Sequence, residues 1–204
     1  MSWLLRRLAC GMIGVPAEPP RVRICDRFAN VRLTNQFGEQ LKFHDALVAD
    51  DRALVLNTMY TQCRGTCPGT SEVMEVLRQK LSPVFGRRLT FVSLTIEPDV
   101  DSYETLFKYS RAYGGHKRSN ELCDWLFLTG SADDVNSLRR SLSYYDLDEK
   151  VDQDVTQHAS TLMFGNSRTD RWAWMPSELA ESQLVASIRR VAGSTFEQKY
   201  GIRP

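Results

Sequence analysis

Three short stretches constrain the fold more than anything else in the chain: Ala53-Leu-Val-Leu-Asn57, Leu89-Thr-Phe-Val-Ser-Leu-Thr-Ile96 and Trp125-Leu-Phe-Leu-Thr129. A strand with one wet face alternates apolar and polar residues, whereas short runs this continuous suit strands buried on both faces. A segment of helical character follows each run. Val73, Val76, Leu77 and Leu81 repeat at helical spacing after the first, residues 103–113 follow the second, and Val135 to Leu142 follow the third. Strands alternating with helices predict an α/β fold, a mostly parallel central sheet covered by helices on both faces.

The flanks read as antiparallel. Phe28 to Leu33 and Leu41 to Phe43 alternate around Asn35-Gln-Phe-Gly38, which predicts an N-terminal β-hairpin. Ser160 to Gly165 and Arg171 to Met175 predict a closing hairpin through Asn166-Ser167, and Ser177 starts a final helix that stops at Gly193. Ser131 is placed to cap the third helix, and Asp101 with Glu104 forms a variant capping box for the second. One domain, 28–193, is expected, with a flexible lead-in over 1–27 and a short helix or tail over 194–204.

Composition removes some classes of function. Lys and Arg number 26 against 25 Asp and Glu, so no global field draws the chain to nucleic acid. No apolar run approaches the roughly 20 residues of a membrane-spanning helix. The first residues hold Arg6 and Arg7 without an acid, then Leu8 to Val15 and the small-residue stretch Val15-Pro16-Ala17. Two readings stay open there: a marginal export signal to the cell envelope, on its periplasmic side, or a cytoplasmic tail. Arg7 makes a poor lipidation context for Cys10.

Five cysteines cannot complete a disulfide framework. Cys10, Cys25 and Cys123 are scattered singly, as packing residues are. Cys63 and Cys67 instead lie where a buried strand gives way to a helix, directly before Pro68, which suits a first helical turn. The helix N-terminus and Arg64 favour thiolates, so both sulfurs are expected to ionise readily. Three residues separate them, against two in the dithiol redox motif. They can close a disulfide or converge on a soft metal ion.

Two thiolates suit copper(I) or zinc, but a structural zinc wants four protein ligands, which are not clustered here. Two sulfurs and one imidazole suit copper(I). Among the three histidines, His158 is the candidate, in the loop before the closing strand. That loop carries no proline, since none occurs between Pro98 and Pro176. His44, beside Asp45, reads as structural, and His116, in Gly114-Gly-His-Lys-Arg118, as part of a solvated loop. The acidic turn Glu97, Asp99, Asp101 caps a helix or rims the site toward a partner. Trp172 and Trp174 pack across strands or form a docking face.

Tyr60-Thr-Gln-Cys-Arg-Gly-Thr-Cys67-Pro68, Val92-Ser-Leu-Thr-Ile-Glu97-Pro98-Asp99-Val-Asp101, Trp125-Leu-Phe-Leu-Thr-Gly130 and His158 occur in an order that resembles the Sco/SenC family of copper-delivery proteins. The similarity spans roughly residues 28–192. It implies a thioredoxin-like fold that binds copper through Cys63, Cys67 and His158. It also implies a role in assembling the copper centre of cytochrome c oxidase, as metallochaperone or as thiol reductant. The expected partner is a copper-accepting apo-protein, a cytochrome c oxidase subunit, met by a monomer. Arg64-Gly65 stands where the family usually has Pro-Asp, and the family's clear membrane anchor is not apparent. A thiol–disulfide oxidoreductase, with Cys63 attacking and Cys67 resolving, is the alternative activity. A thiol peroxidase ranks last, because its usual residues ahead of the reactive cysteine are missing.

Overall fold

The computed structural model describes residues 22–49, 52–158 and 160–201. Its strands are β1 (Arg32–Asn35), β2 (Gln40–Lys42), β3 (Ala53–Met59), β4 (Leu89–Thr95), β5 (Asp124–Gly130), β6 (Thr161–Asn166) and β7 (Arg171–Pro176). The helices are α1 (Cys67–Phe85), α2 (Tyr103–Ala112), α3 (Ala132–Ser141), α4 (Glu149–Gln153), α5 (Glu181–Ala192) and α6 (Phe196–Tyr200). All seven strands join one sheet in the order β2-β1-β5-β4-β3-β6-β7. The three apolar runs form its centre, where β3 pairs β4 and β4 pairs β5 in parallel. Antiparallel hairpins extend both edges, β1–β2 beyond β5 and β6–β7 beyond β3. The architecture is thioredoxin-like.

Every residue of β3 and β4 is buried, which explains the missing alternation. The period of two is still there in three dimensions. Ala53, Val55 and Met59 join one core with Met74, Leu77 and Leu81 of α1 and Leu184 and Ile188 of α5. Leu54 and Leu56 join the other, with Val135 and Leu138 of α3.

Several expected boundaries move, each for a visible reason. Residues 28–31 are not a strand: Phe28 is buried and packs edge-on against Trp172, with ring centroids 4.8 Å apart. Just before it, Cys25–Arg27 forms a 3-10 turn whose Cys25 is buried. The N–H groups of Ile24 and Cys25 donate to Asp170 at 2.6 and 3.0 Å, so this end of the expected flexible lead-in is held on the domain. The candidate export segment lies outside the described residues. The last long helix begins at Glu181 rather than Ser177, whose buried hydroxyl sits 3.1 Å from that of Thr70. After Gly193, the expected appended helix is α6, capped by Thr195 and Gln198.

Asp101 does not cap α2. Ser102 does, accepting from the Thr105 N–H. Asp101 is fully buried and accepts hydrogen bonds from the Thr61 N–H at 3.0 Å, the Thr61 hydroxyl, and the Thr95 hydroxyl at 2.6 Å. One carboxylate thus ties the exit of β3 to the exit of β4.

On the other side of β3, pairing with β6 ends at Leu56 opposite Met163. There the Tyr144 hydroxyl lies 2.8 Å from the Leu56 carbonyl and accepts from the Met163 N–H at 2.9 Å. It occupies the place of ladder bonds, so the last residues of β3 part from β6. Tyr144 begins an excursion that continues through α4 to a 3-10 turn, Val155–Gln157. Asp152 anchors it. Its carboxylate, 3% exposed, accepts from Arg139, at 2.8 Å for one of the two bonds, and from Arg140 at 2.9 Å.

Two outcomes follow from these clamps. Arg139, partly opposed by burial, holds the Asp152 carboxyl at about 2, below the usual 3.8. A depressed carboxylate contributes stability above its unfolded pKa and loses it as pH falls through the folded one. Asp152→Asn will therefore cost about 1–2 kcal/mol at neutral pH, allowing for screening of the exposed partner. The gap to wild type will close between pH 4 and 2 in denaturant titrations. Asp101→Asn will cost about 2–3 kcal/mol, because an amide nitrogen would face the donors that the carboxylate satisfies. A wild-type urea midpoint in that variant would contradict the clamp.

Candidate metal centre

The site is built on the end of β3. Past Met59 the chain turns through Tyr60, buried at 8% exposure, and Thr61, fixed by Asp101. The Cys63 N–H donates to the Tyr60 carbonyl at 3.3 Å and closes the turn. Thr66 occupies the position before α1, Cys67 begins the helix, and Pro68 follows in the first turn, as its missing N–H allows. Cys67 is buried while Cys63 is half-buried beside exposed Arg64 and Gly65. Both are free thiols.

His158 reaches this turn from 91 residues away. Its Nε2 lies 3.3 Å from Cys67 Sγ, and its Nδ1 lies 2.8 Å from the Val155 carbonyl. A carbonyl can only accept, so Nδ1 carries the proton and Nε2 turns its lone pair toward the sulfur. The Tyr60 ring meets the imidazole edge-on, with centroids 5.5 Å apart. The sequence-selected histidine and one sulfur are thus in direct contact.

The two sulfurs differ, contrary to the expectation that both ionise readily. For Cys67, burial is the largest influence, reinforced by hydrogen bonding with Cys63, and its pKa is pushed up to about 12. For Cys63, burial opposes ionisation too, but hydrogen bonds from the Cys67 thiol, backbone N–H groups and Tyr60 outweigh it and lower the pKa. The helix N-terminus helps the sulfur that reaches back to it, not the one sealed beneath it. Tyr60 pays the converse: burial and its bond to Cys63 raise its pKa to about 12.

Among the described residues, no three His, Cys, Asp or Glu side chains stand ready-made as a metal cage. Cys67 and His158 are pre-arranged, and Cys63 lies on the turn above them, packed against the same core. The other histidines are elsewhere. His44 opens a π-helical turn, His44–Val48. His116 is not simply solvated: it packs edge-on to Phe107 with its Nδ1 buried. Trp172 bonds Asp170, whereas Trp174 donates to the Leu142 carbonyl and lines a cleft beside His158. Tyr60 and Thr61 are site residues that sequence reasoning did not assign, and Asp101, read as a helix cap or as the rim of the site, instead fixes Thr61 from within. The one signal for Tyr60 and Thr61 was position, immediately past the end of a buried strand.

The SCO1/SenC family model matches residues 25–193. Among solved structures, a SCO1/SenC family lipoprotein from Bacillus anthracis is 20% identical, with TM-score 0.62 over 80% of this chain and 94% of its own. BsSco, a Sco-family cytochrome c oxidase assembly protein with an identified disulfide switch, is 16% identical, with TM-score 0.63 over 87% and 98%. Yeast Sco1 with copper bound is 16% identical, with TM-score 0.59 over 78% and 87%. No match was found among curated protein sequences. Identities this low speak for the fold, and the family match extends across the strands, the cysteine turn and His158: the chain belongs to the SCO1/SenC family.

Proposed function

We propose that this protein binds one copper(I) ion through Cys63, Cys67 and His158 and passes it to a cysteine-bearing apo-protein by ligand exchange. The contact between Cys67 Sγ and His158 Nε2, at 3.3 Å, carries this reading. It brings a soft thiol and an imidazole together, and the Val155 carbonyl holds the imidazole in the tautomer a metal needs. Cys63 supplies the third donor from a turn containing Gly65, where the nearest side-chain atom to an added Cβ would be Cys63 Sγ itself, 3.9 Å away. Three soft or borderline donors suit copper(I) as a cargo that must be given up again. Copper-bound yeast Sco1 and the assembly role of BsSco support the same chemistry and a cytochrome c oxidase subunit as acceptor. A lipoprotein relative supports the cell envelope as the working compartment, which this reading takes to be its periplasmic side. No helix among the described residues is long and apolar enough to cross a membrane.

One observation favours a second activity. An accessible sulfur with a lowered pKa above a buried one with a raised pKa is the asymmetry of an attacking and a resolving thiol. Cys63 would attack a partner disulfide, and Cys67 would release the reduced partner by closing the Cys63–Cys67 disulfide. The switch identified in BsSco is consistent with such a pair.

Anaerobic titration against a competing chelator will show one copper(I) per reduced chain. Cys63→Ser and Cys67→Ser will abolish it, and His158→Ala will weaken it about 100-fold, or about 2.7 kcal/mol. Undiminished binding by all three would overturn the copper reading. Timed iodoacetamide labelling with peptide mapping will find Cys63 modified well ahead of Cys67, Cys25 and Cys123. Labelling of Cys67 first would remove the basis for Cys63 as attacking thiol.

A further inference from the structure

A cleft of about 440 Å³ opens beside His158, between the turn after β4, α3 and the excursion that carries the histidine. Its walls combine two features. Glu97, Asp99, Asp146 and Asp154 line it, and among the described residues none of them pairs with a cation. Arg139, which also lines it, is taken by Asp152. Burial and neighbouring Asp101 raise the pKa of Glu97, the response of a carboxylate short of positive charge. The chain as a whole carries +1, so this negative potential is local.

The second feature is apolar. Val100, Tyr145 and Trp174 line the same cleft while 46%, 44% and 38% exposed. Leu147, next in the chain to the lining residue Asp146, is 93% exposed, more than any other large hydrophobic residue described. Exposed apolar side chains set among unpaired charges of one sign mark an interaction surface rather than a solvated loop. A second copy of this chain is a poor occupant, because cleft against cleft would oppose carboxylates.

We propose that this cleft docks the protein that receives the metal, and that it selects a segment bearing lysine or arginine next to an aromatic or aliphatic side chain. This deepens the copper-transfer reading and rests on it. Docking there sets the incoming segment against His158, the ligand whose backbone hydrogen bond comes from the wall of the same cleft at Val155. Rim carboxylates would draw the cationic segment in, and Leu147, Tyr145 and Trp174 would cover its apolar side chain.

The test uses the full chain, reduced and metal-free, with two synthetic dithiol peptides that share Cys-x-x-x-Cys, one flanked by Lys-Trp-Lys and the other by Glu-Trp-Glu. Fluorescence anisotropy of labelled peptide will show the basic one binding about tenfold tighter, with the preference shrinking as salt rises. Asp99→Lys and Leu147→Ser, both at exposed positions, will each weaken the basic peptide about fivefold and leave the copper(I) titration unchanged. Equal binding of both peptides, or wild-type affinity in both variants, would overturn the docking site. So would a dimer in sedimentation that Leu147→Ser disperses. Because docking is measured without metal, a failed copper titration with intact peptide selectivity overturns the copper reading alone.

Discussion

A buried carboxylate must be met by donors or the fold pays for its desolvation, and Asp101 is met on both sides. Thr61 and Thr95 donate to it from the ends of neighbouring parallel strands. Its position after β4 therefore dictates how the chain leaves β3, and the turn that carries Cys63 and Cys67 starts from Thr61. Across β3, the Tyr144 hydroxyl interrupts pairing with β6 at Leu56 and Met163. With one side clamped and the other held open, the end of β3 has room for a cysteine turn and an approaching imidazole.

That room also explains why the cysteines are unequal. Cys67, the first residue of α1, is packed into the core under His158, so its thiol is costly to ionise. Cys63 sits above it, collecting hydrogen bonds that favour the thiolate. The proposed copper site and the proposed disulfide exchange both draw on this one pair. Both chemistries need an accessible sulfur poised over a protected one. Arg64 and Gly65 lie exposed between them.

The excursion from Tyr144 to His158 links site and surface. Asp152 fastens it to α3 through two arginines, and Asp154 caps the turn from which His158 projects, accepting from the Thr156 N–H at 3.0 Å. The segment that delivers the histidine therefore also forms a wall of the adjoining cleft. The position of His158 and the shape of the cleft are set by one set of contacts.

Periodicity alone determined the strand–helix alternation, the three central strands and the closing hairpin, since burial on two faces leaves a direct mark on composition. The strand-to-helix junction likewise exposed the cysteine pair, and its place ahead of the closing strand singled out His158. Neither the contact of Cys67 with His158 nor the roles of Asp101 and Tyr144 can be read that way. Asp101 has the local look of a helix cap, and only Thr61, just past the end of a neighbouring strand, decides otherwise. Cys67 has the look of an activated thiol, and only packing by residues far along the chain withdraws it from water. Local pattern records which groups are buried; which donor, charge or sulfur meets them is decided when distant segments close together.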